Sequence, residues 1–478
     1  MKKILLAIVL IMPVLCCVAQ DIKLSPLENL KAEIYKLQDD PDLIHGIWGI
    51  CVLDIRKDSV MAEYNSATGL VPASSLKVVT TAAALSLLGE NFRYETKIQY
   101  DGTLDSLNGI LYGNLYIRGC GDPSLGSKYF LKEKDTIQLT KKWAALIVTK
   151  GIRKIEGAVI ADPTIFDQHV VPDTWIWGDM GNYYGAGSSG LNYRDDLYTV
   201  IYQSGNEGDT AKISKIYPSI PGMVLTSHVK SGGTKDNAYL YGAPYSNMRY
   251  AEGMIPPNRK DYQVDGAMPD PSFYLAFELD SMLRKSGLQI TEMPVSVKES
   301  YLFDKEKKKH RKTLVQEYSP KLSDLVYWTN KKSLNLYAES FLKTLSLRRS
   351  ATGNETQGTD AVTAFWASKG VDIKGLYMND GCGLSRWNSI TPRQFVSMLR
   401  IVSKEPCFKS FYKSLPEHSG NVVAKSGYIT RVRSYTGYAT KKNGDLIAFS
   451  IIANNYDCAP PEMRKKLEKL MDLIGLIE

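Results

Sequence analysis

In the stretch Val71-Pro72-Ala73-Ser74-Ser75-Leu76-Lys77-Val78-Val79-Thr80-Thr81-Ala82-Ala83-Ala84-Leu85, a turn-like Val-Pro-Ala leads into a helix whose one charged residue is Lys77. Gly89 is well placed to end that helix. Ser74 and Lys77 form a Ser-x-x-Lys pair. Residues three apart on a helix project from nearly the same face, about 4.5 Å apart along the axis, so hydroxyl and amine can meet. The free N–H groups and dipole of a helix start favour a developing oxyanion, and an apolar surround lowers the lysine pKa so that it can take the serine proton. The pattern is common, however: chance supplies roughly two or three in a chain of this size, and it recurs from Ser227, Ser340 and Ser410. Taken alone, it is better explained by an N-cap serine and a surface lysine. Only the first match follows a turn and opens an uncharged helix.

Outward from this stretch, the 478 residues exceed one ordinary compact domain, and 44% hydrophobic with 23% charged content is globular. Leu27, Leu30, Ile34 and Leu37 predict a helix over Leu24–Leu37, followed by strands at Ile47–Ile55 and Val60–Tyr64. From about Phe92 to Asp265 short strand-like runs alternate with Gly, Pro and Asn turns; Tyr94–Tyr100, Ile110–Arg118 and Lys154–Ala161 are the clearest. Helical periodicity returns after Pro271, in Leu334–Leu347 and in Pro392–Val402. Strands are expected at Val422–Ala424, Tyr435–Thr440 and Ile447–Ala453, the last two joined by Asn443-Gly444, and Pro461–Ile477 forms an amphipathic closing helix. The fold class is therefore α+β, with one sheet drawing on both chain ends. Residues 20–91 and 266–478 are expected to form one unit, and 92–265 a β-rich insertion.

Met1-Lys2-Lys3, an apolar run from Ile4 to Leu15 and small residues up to Ala19 read as an export leader, residues 1–19. The run is short for a membrane anchor. A lipoprotein through Cys17 is the alternative, although Val14-Leu15-Cys16 lacks the usual small residue before it. The net charge of +8 is mild, and the basic run Lys305–Lys312 reads as a solvated loop, so no nucleic-acid partner is implied. Five cysteines beyond the leader are too few and scattered for a disulfide framework, and five histidines without an HExxH or CxxC pattern give a metal site little to build on.

Two further elements complete a chemical set. Ser333-Leu334-Asn335 stands near a helix start, and Lys425-Ser426-Gly427 lies on a strand near the C-terminus. They resemble the Ser-x-Asn and Lys-Thr/Ser-Gly elements of serine enzymes that bind β-lactams. In such a set Ser74 attacks a carbonyl and Lys77 takes its proton. Ser333 relays that proton to the leaving amine, Asn335 holds the acyl chain, and Lys425 attracts a terminal carboxylate. The strand at Gly427-Tyr428 supplies an oxyanion N–H beside that of Ser74. The chemistry needs no cofactor, and without a GxSxG elbow an α/β-hydrolase triad is disfavoured.

With Pro72-Ala73-Ser74, Gly121-Asp122-Pro123-Ser124-Leu125, Trp175-Ile176-Trp177-Gly178-Asp179-Met180 and Asp380-Gly381-Cys382-Gly383-Leu384-Ser385-Arg386, nearly the whole mature chain resembles the class C low-molecular-mass penicillin-binding proteins, D-alanyl-D-alanine carboxypeptidases and endopeptidases. The resemblance implies a β-lactamase/transpeptidase-like domain interrupted by two smaller nested β-rich domains, and a Ser74 acyl-enzyme. It implies peptidoglycan stem peptides as substrates, β-lactams as covalent inhibitors and a periplasmic location. It also places Asp179 and Tyr184 in a pocket for the amino-bearing end of a diaminopimelate side chain, although Asp179 reads equally well as a turn or cap residue. Three features depart from the family pattern. Ser426 stands for the usual threonine, Cys382 for the serine of Asp-Gly-Ser-Gly, and the connection Leu415–Asn421 is short. The alternatives are another enzyme on the same scaffold, such as a β-lactamase, esterase or aminopeptidase, and a non-catalytic wall-binding or β-lactam-sensing protein.

Overall fold

Ile47–Asp54 and Leu446–Asn454 are almost continuously apolar because they lie side by side, antiparallel, at the centre of a sheet covered on both faces. The computed structural model describes residues 24–131, 138–297 and 310–478. Six strands form the central sheet in the order Ser59–Tyr64, Ile47–Asp54, Leu446–Asn454, Val432–Thr440, Val422–Ile429 and Glu417–Ser419, each antiparallel to its neighbour. Both chain ends thus meet in one sheet, as the strand pattern predicts.

Alternation decides which residue faces which cover. Ile447, Phe449 and Ile451 join Leu30, Ile34, Leu467 and Leu470 of the helices Pro26–Gln38 and Pro460–Gly475. Ala448 and Ile452 face the opposite way, among Val79, Ala83, Phe395 and Leu399 of Lys77–Leu88 and Pro392–Val402. Lys77–Leu88 carries no charge beyond Lys77 because it is enclosed on all sides, with every residue from Lys77 to Leu85 buried. Gly89, at φ 87°, ends it in a conformation other residues avoid.

The inserted body holds two sets of sheets, one inside the other along the chain. The outer set includes Val295–Ser296, Val159–Asp162, Leu115–Arg118, Glu95–Tyr100 and Lys312–Tyr318 in that order, with a four-stranded sheet beside it. The inner set runs from Leu197–Gln203 to Tyr262–Ala267. The expected return to the first unit at residue 266 needs correction: Pro271–Lys285 packs its Leu275, Leu279 and Leu283 into the core of the insertion, and the pairing of Lys312–Tyr318 with Glu95–Tyr100 carries that body to Tyr318. Helical periodicity alone does not say against which core a helix buries its stripe.

Ile110–Arg118 is two strands rather than one, parted at Gly113, and Lys154–Ala161 is likewise parted at Gly157. The two glycines cross closely, since a Cβ on Gly157 would lie 2.4 Å from the Gly113 carbonyl oxygen. The insertion also holds a helix, Gln138–Thr149, with Trp143, Ala144 and Ile147 buried at helical spacing. Of the basic run, Lys305–Lys309 lies outside the described residues, but Arg311 is not a solvated loop residue: it is buried against Asp162 at 2.5 Å, which Arg118 also reaches at 2.9 Å. The leader and Cys17 also lie outside the described residues, among which no helix is long and apolar enough to cross a membrane. The five described cysteines are unpaired.

Phe449, with none of its surface exposed, fills the centre of the sheet. Phe449→Ala is expected to cost about 3–5 kcal/mol, read as a lower urea midpoint at unchanged slope. Leu107→Ala, at a side chain 98% exposed, shifts stability by less than about 0.5 kcal/mol.

Candidate active site

Ser74 sits in a 3-10 turn, Ala73–Leu76, that runs on into the helix Lys77–Leu88. The turn is fastened by distant strands. Asn454 accepts from the Val71 N–H at 2.8 Å and donates to the Val71 carbonyl at 3.0 Å, while Ser434 Oγ donates to the Pro72 carbonyl at 2.5 Å. Ala73 is held at φ 47°, a left-handed conformation that a non-glycine residue adopts only under surrounding constraint. Two glycines allow the close approach. A Cβ on Gly427 would stand 2.9 Å from the Ser74 nitrogen, and one on Gly383 would stand 1.9 Å from the Ala73 carbonyl oxygen.

Lys77 is completely buried, and its amine meets three groups. Nζ lies 2.9 Å from Ser74 Oγ, 2.6 Å from Asn335 Oδ1 and 2.8 Å from the Cys382 carbonyl oxygen. Burial holds the amine below the ordinary lysine range, opposed in part by the acidic groups of Cys382, Asp380 and Glu339. The pairing at helical spacing read from Ser74 and Lys77 is therefore present in the geometry. Of the other Ser-x-x-Lys serines, Ser340 is buried against Ser188, and its Lys343 is paired with Asp167.

The carbonyl that receives Lys77 belongs to a loop fixed from several sides. Asp380, fully buried, accepts from the N–H groups of Gly383 at 2.7 Å and Ser385 at 2.6 Å, from Asn388 at 2.8 Å and from the Trp175 indole at 3.0 Å. Thr80 donates to the Gly381 carbonyl at 2.7 Å, and Glu339 accepts from the Gly381 N–H at 2.9 Å. Burial, with Asp380 as a charged neighbour, pushes the Glu339 carboxyl up to about 8. Glu339, Asp380 and Cys382 lie close enough together to hold an ion. Their carboxylate oxygens already accept the N–H bonds just given.

Ser333 caps the helix Leu322–Lys332 at φ 57°, and Asn335 opens the helix Asn335–Ser346. Both line a cavity of about 490 Å³ together with Ser74, Tyr428, Asp179 and Tyr184. Lys425, Ser426, Gly427 and Tyr428 follow one another on the strand Val422–Ile429. Lys425 is buried, and burial followed by the neighbouring Lys77 charge sets its amine well below the ordinary lysine range. Asp179, in the short helix Trp177–Met180, accepts from Tyr184 Oη at 3.2 Å. Burial raises its pKa against the opposing effects of Tyr184 and of the Arg386 charge.

Bonds from Trp175 to Asp380, and from Asn335 Nδ2 to the Tyr184 carbonyl at 2.7 Å, join the insertion to this centre. Sequence reasoning missed four participants, namely the Cys382 carbonyl, Asp380, Glu339 and Arg386. Asp380, Cys382 and Arg386 lie in a segment whose residue pattern is distinctive. A backbone acceptor leaves no mark of its own in sequence, and Glu339 shows only as the residue one helical turn after Asn335.

A family model described as the D-Ala-D-Ala carboxypeptidase 3 (S13) family matches residues 30–474. The D-alanyl-D-alanine carboxypeptidase DacB of Haemophilus influenzae is 26% identical over 446 residues, 88% of each chain. A D-alanyl-D-alanine carboxypeptidase of Actinomadura sp. strain R39 is 24% identical over 471 residues, covering 91% of this chain and 82% of that one. In fold, the chain is similar to the crystal structure of penicillin binding protein 4 (dacB) from Haemophilus influenzae, with a TM-score of 0.77 and 23% identity over 94% of this chain and 98% of that one. With the family match running through both the central sheet and the inserted body, the chain belongs to the D-Ala-D-Ala carboxypeptidase 3 (S13) family.

Proposed function

We propose that the chain is an exported serine-type D-alanyl-D-alanine carboxypeptidase or endopeptidase that cleaves peptidoglycan stem peptides through a Ser74 acyl-enzyme and is acylated by β-lactams. The observation that carries this reading is the placement of the Lys77 amine. A neutral amine has two N–H donors and one lone pair. Asn335 and the Cys382 carbonyl take the donors at 2.6 and 2.8 Å, so the lone pair is left for the Ser74 hydroxyl at 2.9 Å. Burial favours that neutral form.

In the reaction Lys77 takes the Ser74 proton while Oγ attacks the carbonyl of the penultimate D-alanine. The N–H groups of Ser74 and Tyr428 receive the oxyanion. When the C–N bond breaks, Ser333 passes a proton to the leaving nitrogen, and water then hydrolyses the ester. Asn335 holds the acyl chain. Lys425, with Ser426 and Gly427 beside it, receives the terminal carboxylate, whose charge supplies the partner that favours the ammonium in this buried place. Asp179 and Tyr184 form the wall for the amino-bearing end of a diaminopimelate residue. An arriving ammonium would favour the ionised Asp179, whose own burial disfavours it. Export rests on the leader pattern at Met1–Ala19.

Fluorescent penicillin is expected to give one stable adduct by intact mass in the wild type and none in Ser74→Ala; equal labelling of both sinks the nucleophile assignment. The acylation rate is expected to rise with pH as Lys77 loses its proton, and to reach half its plateau below the usual lysine range. A rate still climbing steeply at pH 10 contradicts this. Gly383→Ala, placed at φ 88° and against the Ala73 carbonyl, is expected to slow acylation about 100-fold while circular dichroism stays unchanged. Acylation at the wild-type rate contradicts the packing argument.

A further inference from the structure

Three consecutive residues that are not glycine, Arg194, Asp195 and Asp196, stand in the left-handed region at φ 61°, 57° and 55°. L residues visit that region singly, and a run of three is kept only where its surroundings leave no alternative. Both ends of this run are tied down. The Arg194 N–H donates to the Leu125 carbonyl at 2.9 Å, the Tyr193 N–H donates to Asp196 Oδ1 at 2.8 Å, and the Asp196 carbonyl accepts from the Met268 N–H at 2.8 Å. Between these fixed neighbours Asp195 holds a buried carboxylate, which accepts from the Lys128 N–H at 3.2 Å.

That carboxylate meets Tyr337. The phenolic hydroxyl, on a residue only 1% exposed, lies between Ser127 Oγ at 2.9 Å and Asp195 Oδ1 at 3.2 Å. Ser127 follows the stretch Gly121-Asp122-Pro123-Ser124-Leu125, in which Asp122 accepts from the Ser124 N–H at 2.8 Å and the Ser124 carbonyl accepts from the Ser127 N–H at 3.0 Å. This motif, none of whose residues lines the catalytic cavity, thus forms the bed for Tyr337.

Tyr337 stands in the first turn of Asn335–Ser346, a helix whose N-terminal end has no side-chain cap. Uncapped ends fray. This one nevertheless carries Asn335, whose Oδ1 lies 2.6 Å from Lys77 Nζ. Residues two apart on a helix project about 200° apart, so Asn335 faces Lys77 while Tyr337 faces the insertion from the opposite side. The turn is gripped between the two.

We propose that Tyr337 is a positioning residue for acylation: its hydroxyl, held by Ser127 and Asp195 of the insertion, fixes the helical turn from which Asn335 meets Lys77. The proposal rests on the acyl-enzyme reading above. It gives the strained turn of the inserted body a part in placing the base, and no bond is made or broken at Tyr337 itself.

Tyr337→Phe keeps the ring and removes only the hydroxyl. On the full chain, the limiting rate of penicillin acylation is expected to fall about tenfold, with one label per chain still reached at long times. The final labelling separates positioning from stability, because partial unfolding lowers the labelled fraction whereas a displaced Asn335 slows every chain. In an Asn335→Ala background the same change is expected to alter the rate by less than about twofold. Tyr438→Phe, which removes another buried hydroxyl, bonded to the Leu399 carbonyl at 2.8 Å, is expected to acylate at the wild-type rate. An unchanged rate in Tyr337→Phe, an equal slowing in Tyr438→Phe, a lowered labelled fraction at the wild-type rate, or the full loss persisting without Asn335 would each overturn the proposal. A wild type inert to penicillin would instead overturn the acyl-enzyme reading on which it rests.

Discussion

An amine without access to water must have each of its hydrogens and its lone pair accounted for, and the centre of this protein is arranged around that requirement at Lys77. Burying a charged lysine costs several kcal/mol, whereas a neutral one needs only acceptors for two hydrogens. Asn335 and the Cys382 carbonyl are those acceptors. Neither is free to move, because Asn335 is also bonded to the Tyr184 carbonyl and the Cys382 loop is held by Asp380, Glu339 and Thr80. The hydrogen bond from Lys77 to Cys382 is thus made to its backbone carbonyl and not to its side chain.

The insertion is part of this arrangement rather than an appendage to it. Asp380 accepts the Trp175 indole with an oxygen that also accepts the Ser385 N–H. The segment carrying Asp179 is therefore fixed by the same carboxylate that fixes the acceptor of Lys77. A displacement at the pocket wall and a displacement at the amine share one hinge point. Because the carboxylate is fully buried and accepts from four donors, weakening one bond leaves the others to hold the loop.

Much of this was legible in the residues. Strand alternation and the Asn443-Gly444 turn mark the C-terminal part of the central sheet, and the uncharged run after Ser74 marks the buried helix. The return of the chain from the insertion was not legible. Pro271–Lys285 has an ordinary apolar stripe, and the choice of core that receives it depends on residues such as Leu115 and Val159, far away in sequence. The site followed the same division. Ser74, Lys77, Ser333 and Asn335 are readable as candidates because they are polar side chains at short, recognisable spacings. The Cys382 carbonyl carries no side-chain signal, and Glu339 becomes meaningful only once the Gly381 loop lies against it.

The central sheet places Ile47–Asp54 beside Leu446–Asn454, so a strand made early finds this partner only after the whole inserted body has been made. At 5–20 residues per second the interval is about 20–80 s. The turn that carries Ser74 depends on Ser434 and Asn454 for its shape. A growing or interrupted chain therefore contains the serine and the lysine but lacks the strands that aim them. A nucleophile built in this way is aimed only once Val432–Thr440 and Leu446–Asn454 have joined the sheet.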